Sequence, residues 1–435
     1  MKVGLISLGC AKNQVAAEQM IFRIREAGHT LVSDEAQADI IVINTCAFIE
    51  DAKQEAINTI LETARLKKTG RLKKLIVTGC LSQLYQAQVQ DELPEVDAVV
   101  GVGSYDSIAH VIEKVSCGEA PCIIGDNCAA VCETPRVIST GKAWAYLLIA
   151  EGCDNFCSYC IIPKIRGRFR SRSMENIIAE AETLAKDGYK ELILVAQDLT
   201  RYGADLYGGR QLARLLTRLC GIDGIRWIRL HYLYPNELDD DLISVIAREP
   251  KIVKYLDIPI QHINSGILKK MNRRDTSESI RALFKTLRAR IPGLVLRTSL
   301  ITGLPGEGEA EFEELCRFLR EMKIERAGVF PFSPEEGTPA AAMDHVDSET
   351  ARQRAERVLE IQAGIMDQWE AGLIGREISV ICEDCEVPGR FIGRGYFDSP
   401  GIDGRVIFSG DCAEGDVVNV KILSADDGDL IGEKV

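Results

Sequence analysis

Short β-branched runs separated by helix-length amphipathic stretches recur along most of the chain, and that rhythm admits few folds other than parallel sheets with crossover helices. In the first 120 residues the runs fall at 3–7, 40–44, 75–78 and 98–100, with helical patterns such as 15–27 between them. The rhythm resumes at Ala143 with six predicted strands, at 145–150, 191–196, 227–231, 255–259, 295–301 and 327–332. Helical stretches at 174–187, 238–248 and 277–290 separate these strands. Repeated βα units of this kind close into a barrel or lie as an open sheet, and the pattern alone allows both. Between the two series, residues 117–141 carry Gly, Pro, Thr and four cysteines with weak periodicity and read as a connector. A long amphipathic segment, 348–370, precedes a change of character at 373–435, where short strands at 376–382, 390–395, 406–408 and 417–423 predict a small β-barrel of oligomer-binding type. The expected division is 1–120, a connector at 121–142, 143–372 and 373–435.

The chain has 435 residues, enough for two to four domains with cores of their own. Its 52 basic and 65 acidic residues give a net charge of −13, a field that repels polyphosphate and disfavours nucleic acid, transfer RNA included. No apolar run approaches the roughly 18 residues that a spanning helix requires, so no membrane partner is expected. The opening residues read as a first strand, not a signal peptide, and the expected location is the cytoplasm. Fifteen cysteines, an odd number, are scattered over the chain; in a reducing compartment they indicate thiolate chemistry more than a disulfide framework.

Three of those cysteines stand out. Cys153, Cys157 and Cys160 form a CxxxCxxC run directly after the first strand of the second series. Three thiolates within eight residues hold three irons of a cubane and leave the fourth open to a ligand. A structural zinc is the alternative, but it normally takes four ligands, often as two CxxC pairs, and no partner pair sits nearby. Cys10, Cys46 and Cys80 each lie just past the C-terminal end of a predicted parallel strand. Open α/β sheets place ligands at that edge, so these cysteines are candidates for a second trio. The competing explanation is packing, since cysteine behaves as a small apolar residue.

The stretch Cys-Asp-Asn-Phe-Cys-Ser-Tyr-Cys-Ile-Ile-Pro-Lys-Ile-Arg-Gly-Arg-Phe-Arg-Ser-Arg from Cys153, with Leu-Gly-Cys-Ala-Lys-Asn at 8–13, resembles the radical S-adenosylmethionine (SAM) methylthiotransferases over nearly the whole chain. Asp-Ile-Pro-Ile-Gln-His at 257–262, His-Tyr-Leu-Tyr-Pro at 231–235 and Gly-Ile-Asp-Gly at 401–404 are most similar to the branch that modifies an aspartate of small-subunit ribosomal protein S-twelve. The resemblance implies an α/β protein with an N-terminal parallel-sheet domain, a central radical SAM partial (β/α)6 barrel and a C-terminal TRAM-type barrel binding the protein substrate. It also implies two 4Fe-4S clusters, one on Cys153, Cys157 and Cys160 and an auxiliary one on Cys10, Cys46 and Cys80. SAM would serve as radical source and methyl donor, and a flavodoxin or ferredoxin as electron donor. A SAM-derived radical would take hydrogen from the aspartate β-carbon, and sulfur from the auxiliary site would then couple to it. Asn13 and Glu18 match the family stretch, whereas Ala16-Ala17 replaces its usual Asp-Ser and Gly428-Asp429-Leu430 its usual Tyr-Asp-Leu.

Gln197, Arg229, Gln261 and Arg297 are placed near C-terminal strand ends as candidate SAM contacts, with solvated or ion-paired side chains as the alternative. Gly303-Leu-Pro-Gly306 lacks the Gly-Lys-Ser/Thr ending of a phosphate loop and reads as a turn. Arg166, Arg168, Arg170 and Arg172 form a basic stripe of a kind that is usually a solvated face. Cys382 and Cys385, and Cys117, Cys122, Cys128 and Cys132, are expected to hold no metal. Residues 373–435 carry six basic and thirteen acidic side chains, a balance suited to a basic protein and poor for gripping RNA. Two rival functions stay open on sequence alone: methylthiolation of transfer-RNA adenosine, and a non-catalytic iron-sulfur electron carrier.

Overall fold

In the computed structural model, which describes residues 1–435, Lys2–Ser7 (β1), Thr30–Leu31 (β2), Ile40–Thr45 (β3), Lys74–Gly79 (β4), Ala98–Val100 (β5) and Cys122–Ile123 (β6) form one parallel sheet in the order β2-β1-β3-β4-β5-β6. The middle strands are apolar on both faces: Ile40 to Ile43 and Leu75 to Val77 are all buried, as sheets covered on both sides require. Helices Ala11–Glu26 (α1), Glu50–Ala64 (α2), Cys80–Tyr85 (α3) and Ile108–Ser116 (α4) accompany the sheet. Ile108, Val111, Ile112 and Val115 give α4 its buried stripe at helical spacing. Part of the expected connector is therefore structural, since Cys122–Ile123 pairs with Val99 and Val100 as the sixth strand.

The chain falls into two units, and the first comprises Met1–Ser139, Ala150–Arg172 and Glu335–Thr338. The CxxxCxxC segment belongs to it because Ile161 and Ile165 are buried in the same hydrophobic core as Ile40, Val77 and Leu81. Within that segment, Ala150–Glu151 pairs antiparallel with Arg170–Ser171, and Ile162–Arg166 forms a short helix, α5.

The second unit comprises Thr140–Ile149, Ser173–Pro334 and Pro339–Val435. Trp144–Leu148 (β7), Glu191–Val195 (β8), Trp227–Leu230 (β9), Ile252–Asp257 (β10), Val295–Thr302 (β11) and Arg326–Pro331 (β12) lie side by side in sequence order, all parallel. The two alternatives that the pattern allows thus resolve to an open, partial barrel. Strand β10 begins three residues earlier than the pattern predicts, because buried Ile252 and Val253 extend it at the N-terminal end. The C-terminal strands Glu377–Val387 (β13), Arg390–Gly395 (β14), Val406–Ser409 (β15), Val417–Asp426 (β16) and Asp429–Lys434 (β17) close into a small barrel. The fifth of these strands goes beyond the four that the sequence predicts; it pairs parallel with β15 and antiparallel with β16.

Trp227, Val253 and Val295, near the N-terminal ends of β9, β10 and β11, and Tyr255 further along β10 share a core with Val380, Phe391, Phe397, Phe408 and Val420 of the small barrel. Buried charge ties the same surfaces together. Glu191, fully buried, accepts from Arg229 Nε at 2.6 Å and from Arg394 Nη2 at 2.6 Å. Arg326 pairs with Glu370 at 2.9 Å and Asp398 at 2.7 Å. Burial pushes the Glu191 carboxyl upward, but the two guanidinium groups outweigh it and hold it below the usual range.

Glu191→Gln leaves two buried cations short of their shared anion and is expected to destabilise the second unit by about 3–5 kcal/mol in urea unfolding at neutral pH. Because the folded-state carboxyl is depressed, its stabilisation is complete above the unfolded glutamate value and fades as pH falls through the folded one. The gap between parent and variant should accordingly narrow below about pH 4. Gly79, at φ +97°, has no room for a side chain, since a Cβ would lie 2.4 Å from the Thr45 carbonyl oxygen. Gly79→Ala is expected to cost the first unit about 1–3 kcal/mol, read as earlier loss of its signal in denaturant.

Candidate metal centre

Parallel register brings Cys10, Cys46 and Cys80 to one sheet edge. Ser7, Asn44 and Thr78 stand opposite one another in β1, β3 and β4. The three cysteines follow two or three residues later, with Cys10 directly before α1 and Cys80 opening α3. The turn at Gly9 packs so closely on Cys46 that a Cβ there would lie 3.1 Å from the Cys46 sulfur. Asn13, wholly buried, binds these loops together: its Nδ2 donates to the carbonyls of Leu8 and Thr45, both at 2.9 Å. Its own carbonyl accepts from Asn44 Nδ2 at 2.7 Å.

A cation completes the site. Arg166, at the end of α5 and 1 % exposed, pairs through Nη1 with Glu151, while Nη2 reaches Asn13 Oδ1 at 2.5 Å and the Cys80 sulfur at 3.7 Å. Burial pushes the Cys10 thiol up, but the charges of Lys12 and Arg166 and the backbone amides of Asn13 and Lys12 bring it below its ordinary value. Burial and the neighbouring Cys80 push Cys46 up to about 11. Cys80 is raised by burial against the opposing field of Arg166. Four buried polar atoms near this edge, Asn44 Oδ1, Thr78 Oγ1, Ser82 Oγ and the Tyr105 hydroxyl, have no hydrogen-bond partner in the protein. Such groups are normally satisfied. An all-sulfur set with cations beside it and three unsatisfied hydroxyls able to donate around it fits an anionic iron-sulfur cluster.

The second trio sits on a loop held at both ends. Cys153 N donates to the Gly167 carbonyl at 3.2 Å and Cys160 N to the Cys157 carbonyl at 3.0 Å, and Phe156, φ +50°, turns the chain between them. Cys153, Cys157 and Cys160 are half-buried, open enough to accept a ligand. No three Cys, His, Asp or Glu side chains close on a single ion.

Several of the candidate side chains have other work to do. Arg229 is buried on Glu191 and donates to the Tyr396 carbonyl at 2.9 Å. Arg297, the third residue of β11, pairs with Asp257 at 3.1 Å and lies 3.8 Å from Asp403. Both therefore join the partial barrel to the small barrel: Arg229 is the penultimate residue of β9, near its C-terminal end as expected, whereas Arg297 lies near the N-terminal end of β11, which corrects that expectation. Gln197 and Gln261 do follow strand ends. The Gln197 amide has no protein partner at either atom, and Gln261 holds a left-handed backbone at φ +68°. The basic stripe dissolves as well: Arg166 is buried, Arg168 pairs with Asp154 at 2.9 Å, Arg170 donates to carbonyls of its own loop, and Arg172 is buried beside Glu133.

Glu18 accepts from Arg136, and from the Ser139 backbone at 2.8 Å and hydroxyl at 2.9 Å, strapping residues 136–139 onto α1. Ala16 and Ala17, in place of Asp-Ser, are packed in the core. Gly303 donates its N–H to Glu307 Oε1 at 2.9 Å, in keeping with a turn. Cys382 is buried with its sulfur 3.3 Å from that of Cys412, while Cys385 is exposed, so the CxxC spacing does not bring its two sulfurs together. Cys117, Cys122 and Cys128 are exposed and Cys132 half-buried. Arg166 is the residue beside the N-terminal trio that pattern alone assigns to a solvated face; its position six residues after Cys160 and before a glycine at φ +72° is the signal that sets it apart.

Residues 2–101 match the uncharacterized protein family UPF0004, 147–319 the radical SAM superfamily and 374–435 the TRAM domain. A ribosomal protein uS12 methylthiotransferase RimO from Lachnoclostridium phytofermentans is 50% identical over 437 residues, covering 99% of both chains. One of the same name from Geobacter sulfurreducens is 48% identical, covering 99% of this chain and 98% of its own. Among solved structures, the radical SAM methyltransferase TsrM from Kitasatospora setae, with cobalamin and a [4Fe-4S] cluster bound, aligns with a TM-score of 0.58 at 16% identity over 78% of this chain and 76% of that one, a likeness of fold. With relatives matched from end to end at about half identity and a radical SAM region at its centre, the chain belongs to the radical SAM methylthiotransferases, in the RimO family.

Proposed function

We propose that the protein attaches a methylthio group to the β-carbon of an aspartate side chain in ribosomal protein uS12, in the cytoplasm. The observation that carries this reading is the pair of separate all-sulfur trios in one unit, one on the CxxxCxxC loop and one on three neighbouring strand ends. Cys153, Cys157 and Cys160 are assigned to the radical cluster, and Cys10, Cys46 and Cys80 to the auxiliary cluster. When bound, the clusters and SAM supply one-electron cleavage, a methyl group and transferable sulfur, which side-chain acid-base chemistry cannot provide.

The chain's own residues hold and shield these groups. Asn13 fixes the strand-end loops at a constant spacing, and Arg166 and Lys12 favour the thiolate over the thiol, the form that ligates iron. Gln197 and Gln261 are assigned as SAM contacts, because a side-chain amide can both donate to a carboxylate and accept from an amine. A low-potential carrier of the flavodoxin or ferredoxin type is the proposed electron source.

The small C-terminal barrel is assigned to substrate recognition. Glu377, Asp384, Glu386, Asp411, Glu414, Asp416, Asp426, Asp427 and Glu433 are exposed on it and outnumber the exposed bases Arg376, Arg390, Arg405, Lys421 and Lys434, while Arg394 is withdrawn into ion pairs. That leaves an acidic surface complementary to a basic ribosomal protein and repulsive to an RNA backbone.

Anaerobic reconstitution of the parent chain should give about eight irons and eight sulfides, and about four of each when either trio is replaced by alanine. With reductant, SAM and isolated uS12, the aspartate-bearing peptide should gain one methylthio group less a hydrogen by mass spectrometry. Either triple variant should abolish that gain. A methylthioadenosine appearing in transfer RNA, with uS12 unmodified, would replace this assignment by the RNA-modifying one.

A further inference from the structure

Arg166 is in an unusual position for a guanidinium. It is almost wholly buried, and burying such a charge is costly unless its fork is matched. One arm is matched by Glu151. The other is shared between the amide oxygen of Asn13 at 2.5 Å and the sulfur of Cys80 at 3.7 Å. Through Asn13 the same clamp reaches the Leu8 carbonyl beside Cys10 and the Thr45 carbonyl beside Cys46. One cation is thus fixed against one cysteine and linked by a single side chain to the loops of the other two.

The residue comes from elsewhere in the sequence. It ends α5, six residues after Cys160, so the segment that bears one trio delivers the cation to the other. Electrons entering a buried cluster are stabilised by a nearby positive charge and by N–H donors to its sulfurs, and the low local dielectric strengthens both effects.

We propose that Arg166 is a positioning residue of the auxiliary site: its guanidinium donates to the Cys80 thiolate and raises the reduction potential of the cluster that Cys10, Cys46 and Cys80 hold. The proposal rests on the assignment of that trio to a cluster. Glu151 partly offsets the charge, so the local field is set by the Arg166–Glu151 pair and not by Arg166 alone.

The test uses the full chain with Cys153, Cys157 and Cys160 replaced by alanine, so that only the N-terminal trio loads, and reads the midpoint potential by a redox titration followed by electron paramagnetic resonance. Arg166→Gln should make the reduced cluster at least ten-fold scarcer at a fixed potential, a fall of about 59 mV or more for one electron. Arg166→Lys should recover most of that fall, and Glu151→Gln should shift the potential the opposite way. A parent that binds no iron overturns the trio assignment and this proposal with it. Iron retained in the parent and in Arg166→Gln with equal potentials overturns the proposal alone. Loss of iron in both the Gln and Lys variants, with the parent loaded, also overturns it, because Arg166 would then be a scaffold of shape and not of charge.

Discussion

Parallel register in the N-terminal sheet is the constraint on which the rest of the site depends. Because Ser7, Asn44 and Thr78 are held in line by backbone hydrogen bonds, three chain segments distant in sequence leave the sheet at the same level. A slip of one residue in any of these strands would turn its side chains to the opposite face and carry its cysteine away from the other two. The burial of Ile40 to Ile43 and Leu75 to Val77 makes such a slip costly, so hydrophobic packing in the strands fixes the geometry of the thiols beyond them.

Charge does in the second unit what register does in the first. Glu191 is the first residue of its strand and is enclosed by arginines from the neighbouring strand of the partial barrel and from the small barrel. Arg326 and Arg297 make comparable links to Asp398 and Asp403. Buried pairs of this kind add little net stability over apolar packing, but they penalise any docking that leaves one partner alone. The small barrel is held in one orientation by the requirement that each buried charge find its counter-ion.

Much of this is legible in the sequence, and the exceptions have physical causes. Runs such as Ile40 to Ile43 and Leu192 to Val195 declare strands because only a two-sided burial tolerates them, and the cysteine spacing declares the loop at 153–160. Strands Thr30–Leu31 and Cys122–Ile123 are invisible to pattern because two residues carry no periodicity. Asp429–Lys434 is hidden by its polar, glycine-containing composition, which suits an exposed strand of a closed barrel. The partners of Arg229 and Arg297 escape prediction because a strand pattern does not show which of its residues meet another domain. Arg166 is obscured for a related reason: a buried arginine looks like a surface one until the carboxylate and the amide that receive it are known.

The topology of the small barrel bears on how the protein is made. Its strand Asp429–Lys434 is the one that joins Val406–Ser409 to Val417–Asp426. Until that strand has left the ribosome the preceding four form an open ribbon with unpaired edges, and such edges recruit other chains. Val380, Phe391, Phe408 and Val420, which pack against the parallel strands, all precede it in the chain, so Asp429–Lys434 is the latch of the small barrel alone.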